Sequence, residues 1–156
     1  MKVFVGDFRH QTSVSFLALA YKKLYNQDAC LECIVRNDFG KPFFKDEEMP
    51  FFSISHSGRF IVCSFDECEI GIDIQRIRPI PKNIIKRFLK YTNKNDLKLI
   101  EEWTKFESYG KKMGMGIPFD MDYANGHFLT TFEINDYVVT VCTDNKNEKS
   151  LELVYL

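Results

Sequence analysis

No run of about 18 consecutive apolar residues occurs in this 156-residue sequence, so a membrane-spanning helix is not expected. The opening Met1-Lys-Val-Phe-Val-Gly6 lacks a long apolar core and a cleavage-like site, and a soluble cytoplasmic protein is expected. Histidine is scarce: the three present, His10, His56 and His127, do not stand in a zinc-protease spacing. Ser55-His56-Ser57 has no G-x-S-x-G elbow, and adjacent residues on a strand point to opposite faces, so a hydrolase triad is discounted. A Walker-type phosphate loop and a G-x-G-x-x-G fingerprint are both missing. Neither sign of charge dominates. With 21 Lys and Arg against 22 Asp and Glu, the net charge of −1 gives no global reason to expect nucleic-acid or membrane binding.

The five cysteines are expected to be reduced in a cytoplasmic protein. Cys30-Leu-Glu-Cys33 has the C-x-x-C spacing, but Cys63, Cys68 and Cys142 supply no second pair for a structural zinc site, and a zinc or redox role is not favoured. No internal repeat or low-complexity segment is evident. The length is that of one domain, able to bury roughly 70% of its unfolded surface without a staple.

What the chain has in quantity is phenylalanine, 15 residues, spread through strand-like alternation. Residues 2–8 read as a strand, and Thr12 or Ser13 caps a helix to about Tyr25 with Phe16, Leu17, Ala20 and Leu24 as its apolar stripe. Strands are expected at 31–36, 52–57, 60–65, 70–75, 128–134, 137–143 and 151–156, with turns at 37–40, 57–59 and 135–136. In Ile70-Gly-Ile-Asp-Ile-Gln75 the period of two sends Ile70, Ile72 and Ile74 to a core, and Gly71, Asp73 and Gln75 to the other face. Two oxygens at i and i+2 suit a hard cation, and a glycine beside them admits a ligand to the main chain. The same pattern also suits an ordinary strand with a solvated edge.

Between residues 76 and 95 the character changes: Arg76, Arg78, Lys82, Lys86, Arg87, Lys90 and Lys94 stand there without an acidic residue. Ile84, Ile85, Phe88 and Leu89 make that stretch a short amphipathic helix, suited either to an acidic partner or simply to solvent. A longer helix is expected from about Asn95 to Met113, buried along Leu99, Trp103, Phe106, Gly110 and Met113. Glu107 and Lys111 lie one turn apart beside that stripe, a spacing that also suits a routine surface ion pair.

Taken in order, Gly40-Lys-Pro42, Phe52-Ser-Ile-Ser-His-Ser57, Gly71-Ile-Asp-Ile74 and Trp103-Thr-x-x-Glu107-Ser-x-x-Lys111 resemble the 4′-phosphopantetheinyl transferases. The likeness is greatest to the type that activates peptide and polyketide synthetases of secondary metabolism, and runs from about His10 to the C-terminus. It implies an α+β fold of two similar halves, about 1–67 and 69–156, each a small antiparallel sheet packed with a helix. These pair as a pseudo-dimer within one domain of 1–156, with the site between them. It implies transfer of the phosphopantetheine arm of coenzyme A to a serine of an acyl or peptidyl carrier protein, releasing 3′,5′-ADP, with Mg2+ as cofactor.

By the same resemblance Lys41 and Pro42 line the adenine side, Ser55 and His56 contact nucleotide phosphates, and Asp73 and Glu107 hold the magnesium ion, with Gln75 beside them. Lys111 contacts the pyrophosphate. One or two carboxylates suffice for magnesium, which keeps waters and takes substrate phosphates. Glu107 is also placed to take the serine proton, and Lys111 to counter charge on the leaving phosphate. The basic run from Lys82 to Lys90 then docks the acidic carrier. A monomer is expected, without nucleic-acid or membrane partners. A non-catalytic module that holds coenzyme A or a carrier protein is the alternative.

Three positions depart from the family pattern. Gln75 stands where many relatives have glutamate. Phe106 replaces the lysine before the motif's glutamate, so that a phosphate contact is lost unless Lys105 or Lys112 reaches round. The first strand leads almost directly to the first helix, without the basic segment that helps hold phosphates in longer relatives; a family arginine falls opposite His10, and Arg9 or His10 is expected to substitute for it in binding the cofactor.

Overall fold

The computed structural model describes residues 1–79, 96–116, 126–144 and 150–156. Among them β1 (Lys2–Asp7) leads through a 3-10 turn (Phe8–His10) to α1 (Ser13–Tyr25). A short ribbon of β2 (Ile34–Arg36) and β3 (Pro42–Phe44) precedes the hairpin of β4 (Phe51–Ser57) and β5 (Phe60–Asp66). There follow β6 (Ile70–Arg76), α2 (Asp96–Met113), β7 (Phe128–Ile134), β8 (Tyr137–Thr143) and β9 (Glu152–Tyr155). The architecture is α+β with small antiparallel sheets, as expected. The basic segment at 82–90, expected to dock a carrier, lies outside the described residues.

Two sheets carry the fold, in the orders β4-β5-β1-β9 and β6-β8-β7. Strand, helix and hairpin follow one another in both: β5 pairs antiparallel with β1 as β8 does with β6. β9 departs from this scheme, adding to the first sheet in parallel with β1. Alternation decides how the sheets meet. Val3, Val5, Phe60 and Val62 of the first face Ile70, Ile72, Ile74, Val139 and Val141 of the second, all of them buried. Full burial of each such side chain is worth roughly 1.5–3 kcal/mol, which makes this seam the main adhesive between the two sheets. On the first sheet's opposite face, Phe4, Ile61, Cys63 and Phe65 receive Phe16, Leu17, Ala20 and Tyr21 of α1.

Thr12, rather than Ser13, caps α1: its Oγ1 accepts from Ser15 N at 3.1 Å while Ser15 Oγ accepts from Thr12 N at 2.9 Å. Asn26 ends the helix in the left-handed region, its N–H reaching Lys22 O at 2.9 Å.

Four expectations need correction. Residues 31–33 form a 3-10 turn, and only Ile34–Arg36 is strand. That turn holds the Cα atoms of Cys30 and Cys33 at 5.3 Å, within bridging distance, and the two are joined in a disulfide rather than reduced. On α2, Leu99, Phe106 and Gly110 are buried, but Met113 is 42% exposed and Trp103 only partly covered. The buried row also includes Ile100, Thr104, Ser108 and Lys112, at steps of four. Small polar residues in that row let the helix backbone come against the sheet; a Cβ on Gly71 would lie 1.8 Å from the carbonyl oxygen of Ser108. Gly71 therefore admits a helix, where the sequence suggested a ligand.

Candidate active site

β4 and β6 are edge strands of different sheets, and their edges meet. Backbone pairing between them is replaced by a row of serine hydroxyls. Ser53 Oγ accepts from Ile72 N at 3.0 Å, and Ser57 Oγ accepts from Arg76 N at 3.2 Å. Between them Ser55 Oγ donates to Asp73 Oδ1 at 2.9 Å. The strand period places 53, 55 and 57 on one side, so Ser-x-Ser-x-Ser is a stitch between sheets. It is the signal that sequence reasoning missed.

Asp73 is 1% exposed on β6, and a lone carboxylate there would be costly. Lys111, projecting from the last turns of α2, supplies its Nζ at 2.6 Å from Asp73 Oδ1 and donates to Ser55 Oγ at 2.7 Å. Gln75, two residues along the same strand, donates Nε2 to Asp73 Oδ2 at 3.2 Å. An amide beside a carboxylate turns its NH2 toward it, which fixes this orientation.

Glu107 lies one turn before Lys111. Burial pushes its carboxyl above the usual range, the Asp73 charge pushes the same way, and the Lys111 ammonium opposes both. Glu107 and Asp73 line the same part of one cleft.

These groups open into a cleft with two adjoining parts. One, of about 380 Å³, is lined by Ser55, Asp73, Gln75, Arg78, Ile100 and Trp103. The other, of about 330 Å³, is lined by Arg36, Phe39, Gly40, Lys41, Pro42 and Gly114. Ile54, His56, Glu107 and Lys111 line both. The β2–β3 turn forms the second wall because Asn37 holds it: its Oδ1 accepts from Phe39 N at 3.0 Å and Lys41 N at 2.9 Å. Asn37 Nδ2 donates to Gly114 O at 2.7 Å, tying the turn to the end of α2. Gly40 takes φ +83° within it, a conformation that glycine adopts without strain.

All but one of the expected site residues thus meet in one cleft. The exception is His10, exposed on the 3-10 turn and not among the described lining residues. Neighbouring Arg9 is engaged elsewhere, its Nε donating to Asp7 Oδ1 at 2.9 Å. His56 is exposed and stacks on Phe8 with ring centroids 4.0 Å apart. Lys41 lines the wall, but its ammonium pairs with Glu69 and donates to Lys112 O at 3.0 Å. Neither Lys105 nor Lys112 stands in for the cation expected at Phe106, which is buried in the core. Lys105 pairs with Glu102 at 3.1 Å, and Lys112, 4% exposed, pairs with Asp144 at 2.8 Å.

No protein-family model matches the chain. Curated proteins do. The chain is 37% identical over 95 residues to the 4′-phosphopantetheinyl transferase Sfp of Bacillus subtilis (strain 168), covering 54% of this chain and 42% of that protein. It is 36% identical over 92 residues to the 4′-phosphopantetheinyl transferase gsp of Aneurinibacillus migulanus, covering 53% and 38%. A further 4′-phosphopantetheinyl transferase of Bacillus subtilis is 32% identical over 131 residues, covering 78% of this chain and 55% of its own length. The chain spans about half the length of the curated relatives it matches. Likeness of that depth across most of its sequence, found in several relatives of one kind, makes the chain a member of the 4′-phosphopantetheinyl transferase superfamily.

Proposed function

We propose that this protein moves the 4′-phosphopantetheine arm of coenzyme A onto a serine of an acyl or peptidyl carrier protein and releases 3′,5′-ADP. The convergence of Asp73, Glu107 and Lys111 from a strand and a helix onto one cleft is the observation that carries this reading. In the reaction the serine oxygen bonds to the phosphorus that bears the pantetheine, the bond from that phosphorus to the nucleotide's bridging oxygen breaks, and the serine loses its proton. Glu107 takes that proton. Burial holds the Glu107 carboxyl above its ordinary range, which makes the carboxylate a stronger base than an exposed one.

Two carboxylates and an amide suit magnesium, which accepts a small protein share and completes its shell with water and phosphate. Among the described residues no three His, Cys, Asp or Glu side chains cluster as a metal cage, so the diphosphate would complete the site. Asp73 and Glu107 would hold the ion, with Gln75 beside them. Their mutual repulsion is the charge imbalance that such a cation relieves. When bound, it neutralises charge on the diphosphate and steadies the leaving group. Lys111 counters the charge left on that group.

The halves act as a pseudo-dimer in this reading, with the strand orders β4-β5-β1 and β7-β8-β6 as related units and the cleft at their junction. Lys41 and Pro42 flank the adenine, and Ser55 and His56 border the phosphates. The stretch from Lys82 to Lys90 receives the carrier by charge complementarity, and activation of peptide or polyketide synthetases in the cytoplasm is the expected setting. Incubation with coenzyme A, a magnesium salt and a panel of apo carriers, followed by weighing of the carriers, tests the proposal. A gain of one phosphopantetheine is expected. Coenzyme A binding with no gain on any carrier contradicts transfer and leaves a binding module.

A further inference from the structure

Asp73 has little room for a cation as the side chains stand. Ser55 Oγ at 2.9 Å and Lys111 Nζ at 2.6 Å crowd its Oδ1, and Gln75 Nε2 at 3.2 Å covers its Oδ2. All three are donors supplied by this chain, on a carboxylate whose side chain is 2% exposed. A divalent ion placed on Oδ1 would meet an ammonium within contact distance, and like charges at that range repel strongly. Lys111 is less confined than its partner: its side chain is 29% exposed and borders both parts of the cleft. A polyanion entering there can draw the ammonium outward, since a lysine is a compact charge on a flexible stem.

We propose that Lys111 is a resident counter-ion that keeps Asp73 closed to metal until a diphosphate claims it, so that the divalent cation enters with the nucleotide and not before it. This rests on the assignment of Asp73 and Glu107 as metal-holding residues. Ser55 is then a positioning residue, holding both carboxylate and ammonium in register before substrate arrives.

The test is Mn2+ binding to the protein alone, followed by the loss of the free-ion paramagnetic resonance signal. Wild type, Lys111→Met and Lys111→Gln are compared, the two variants guarding against a folding defect peculiar to either. Both variants are expected to bind Mn2+ at least tenfold more tightly than wild type, with the gain abolished when Asp73→Asn is added. Equal affinity in wild type and both variants overturns the counter-ion role while leaving transfer chemistry, read separately by carrier mass, in place. Absence of Mn2+ binding in every variant, with coenzyme A present or absent, overturns this inference and the metal assignment beneath it.

Discussion

Ser55 and Asp73, 18 residues apart on the edge strands of two sheets, are joined by a buried hydrogen bond of 2.9 Å from hydroxyl to carboxylate. That bond serves fold and site together, because it closes the seam between β4 and β6 while aiming the carboxylate. Ser55→Ala removes it and leaves Asp73 with Lys111 and Gln75. Loss of a hydrogen bond to a charged group is worth about 1.5–3 kcal/mol, and urea unfolding should show destabilisation in that range. A change below about 0.5 kcal/mol would mean the seam does not depend on it.

Gly71 makes a sharper prediction. Its missing side chain is the space in which α2 lies, with Ser108 O 1.8 Å from where a Cβ would stand and Lys112 N at 2.5 Å. Both neighbours are backbone, so neither can rotate away. Gly71→Ala should cost about 3 kcal/mol or more in denaturant unfolding, and should weaken coenzyme A binding because Glu107 and Lys111 ride on the displaced helix.

Glu107 gives a pH dependence whose sign is fixed. Its folded carboxyl is raised from 4.5, chiefly by burial and then by Asp73, so the folded state binds its proton more tightly than the unfolded chain does. Stability should therefore fall as pH rises from about 4.5 through the folded value. Glu107→Gln removes that loss. Thermal melts should find the variant more stable than wild type at pH 7, with the advantage gone at pH 4. An equal advantage at both values would show that the titration of Glu107 is not the cause.

The Cys30–Cys33 disulfide closes a very short loop, with a sequence separation of 3. The chain-entropy account gives about 2 kcal/mol for such a loop. Reduction should lower stability by no more than this. Because β2 begins at the next residue and its turn forms one wall of the cleft, coenzyme A affinity is the second quantity to follow. Identical unfolding curves with and without reductant would mean the bridge contributes nothing to the fold.

The period-two repeats of Ile70, Ile72 and Ile74 and of Val139 and Val141 made β6 and β8 legible, although both faces of these strands are buried, whereas the three-residue β3 carries no such repeat. Asp73 and Glu107 line the same part of the cleft, a placement that no local pattern in either segment encodes. The partner of Lys111 was not legible either: a helix spacing of four suggests Glu107, but the buried carboxylate of Asp73 on the facing strand has the greater need of a counter-charge. Met113 looked like core because it continued a helical stripe, yet it lies at the end of α2 and is 42% exposed. The serines at 53, 55 and 57 gave no apolar signal, although they join the two sheets. The parallel pairing of β9 with β1 depends on contacts far apart in sequence, which local patterns do not encode.

The central claim is that Glu107 performs chemistry in this cleft and does not merely shape it. Single-turnover transfer to an apo carrier, with coenzyme A affinity measured on the same samples, tests it most directly. For Glu107→Gln the rate should fall by a factor of about 100 or more while coenzyme A affinity changes by a few-fold at most. Equal single-turnover rates in wild type and variant would contradict the claim.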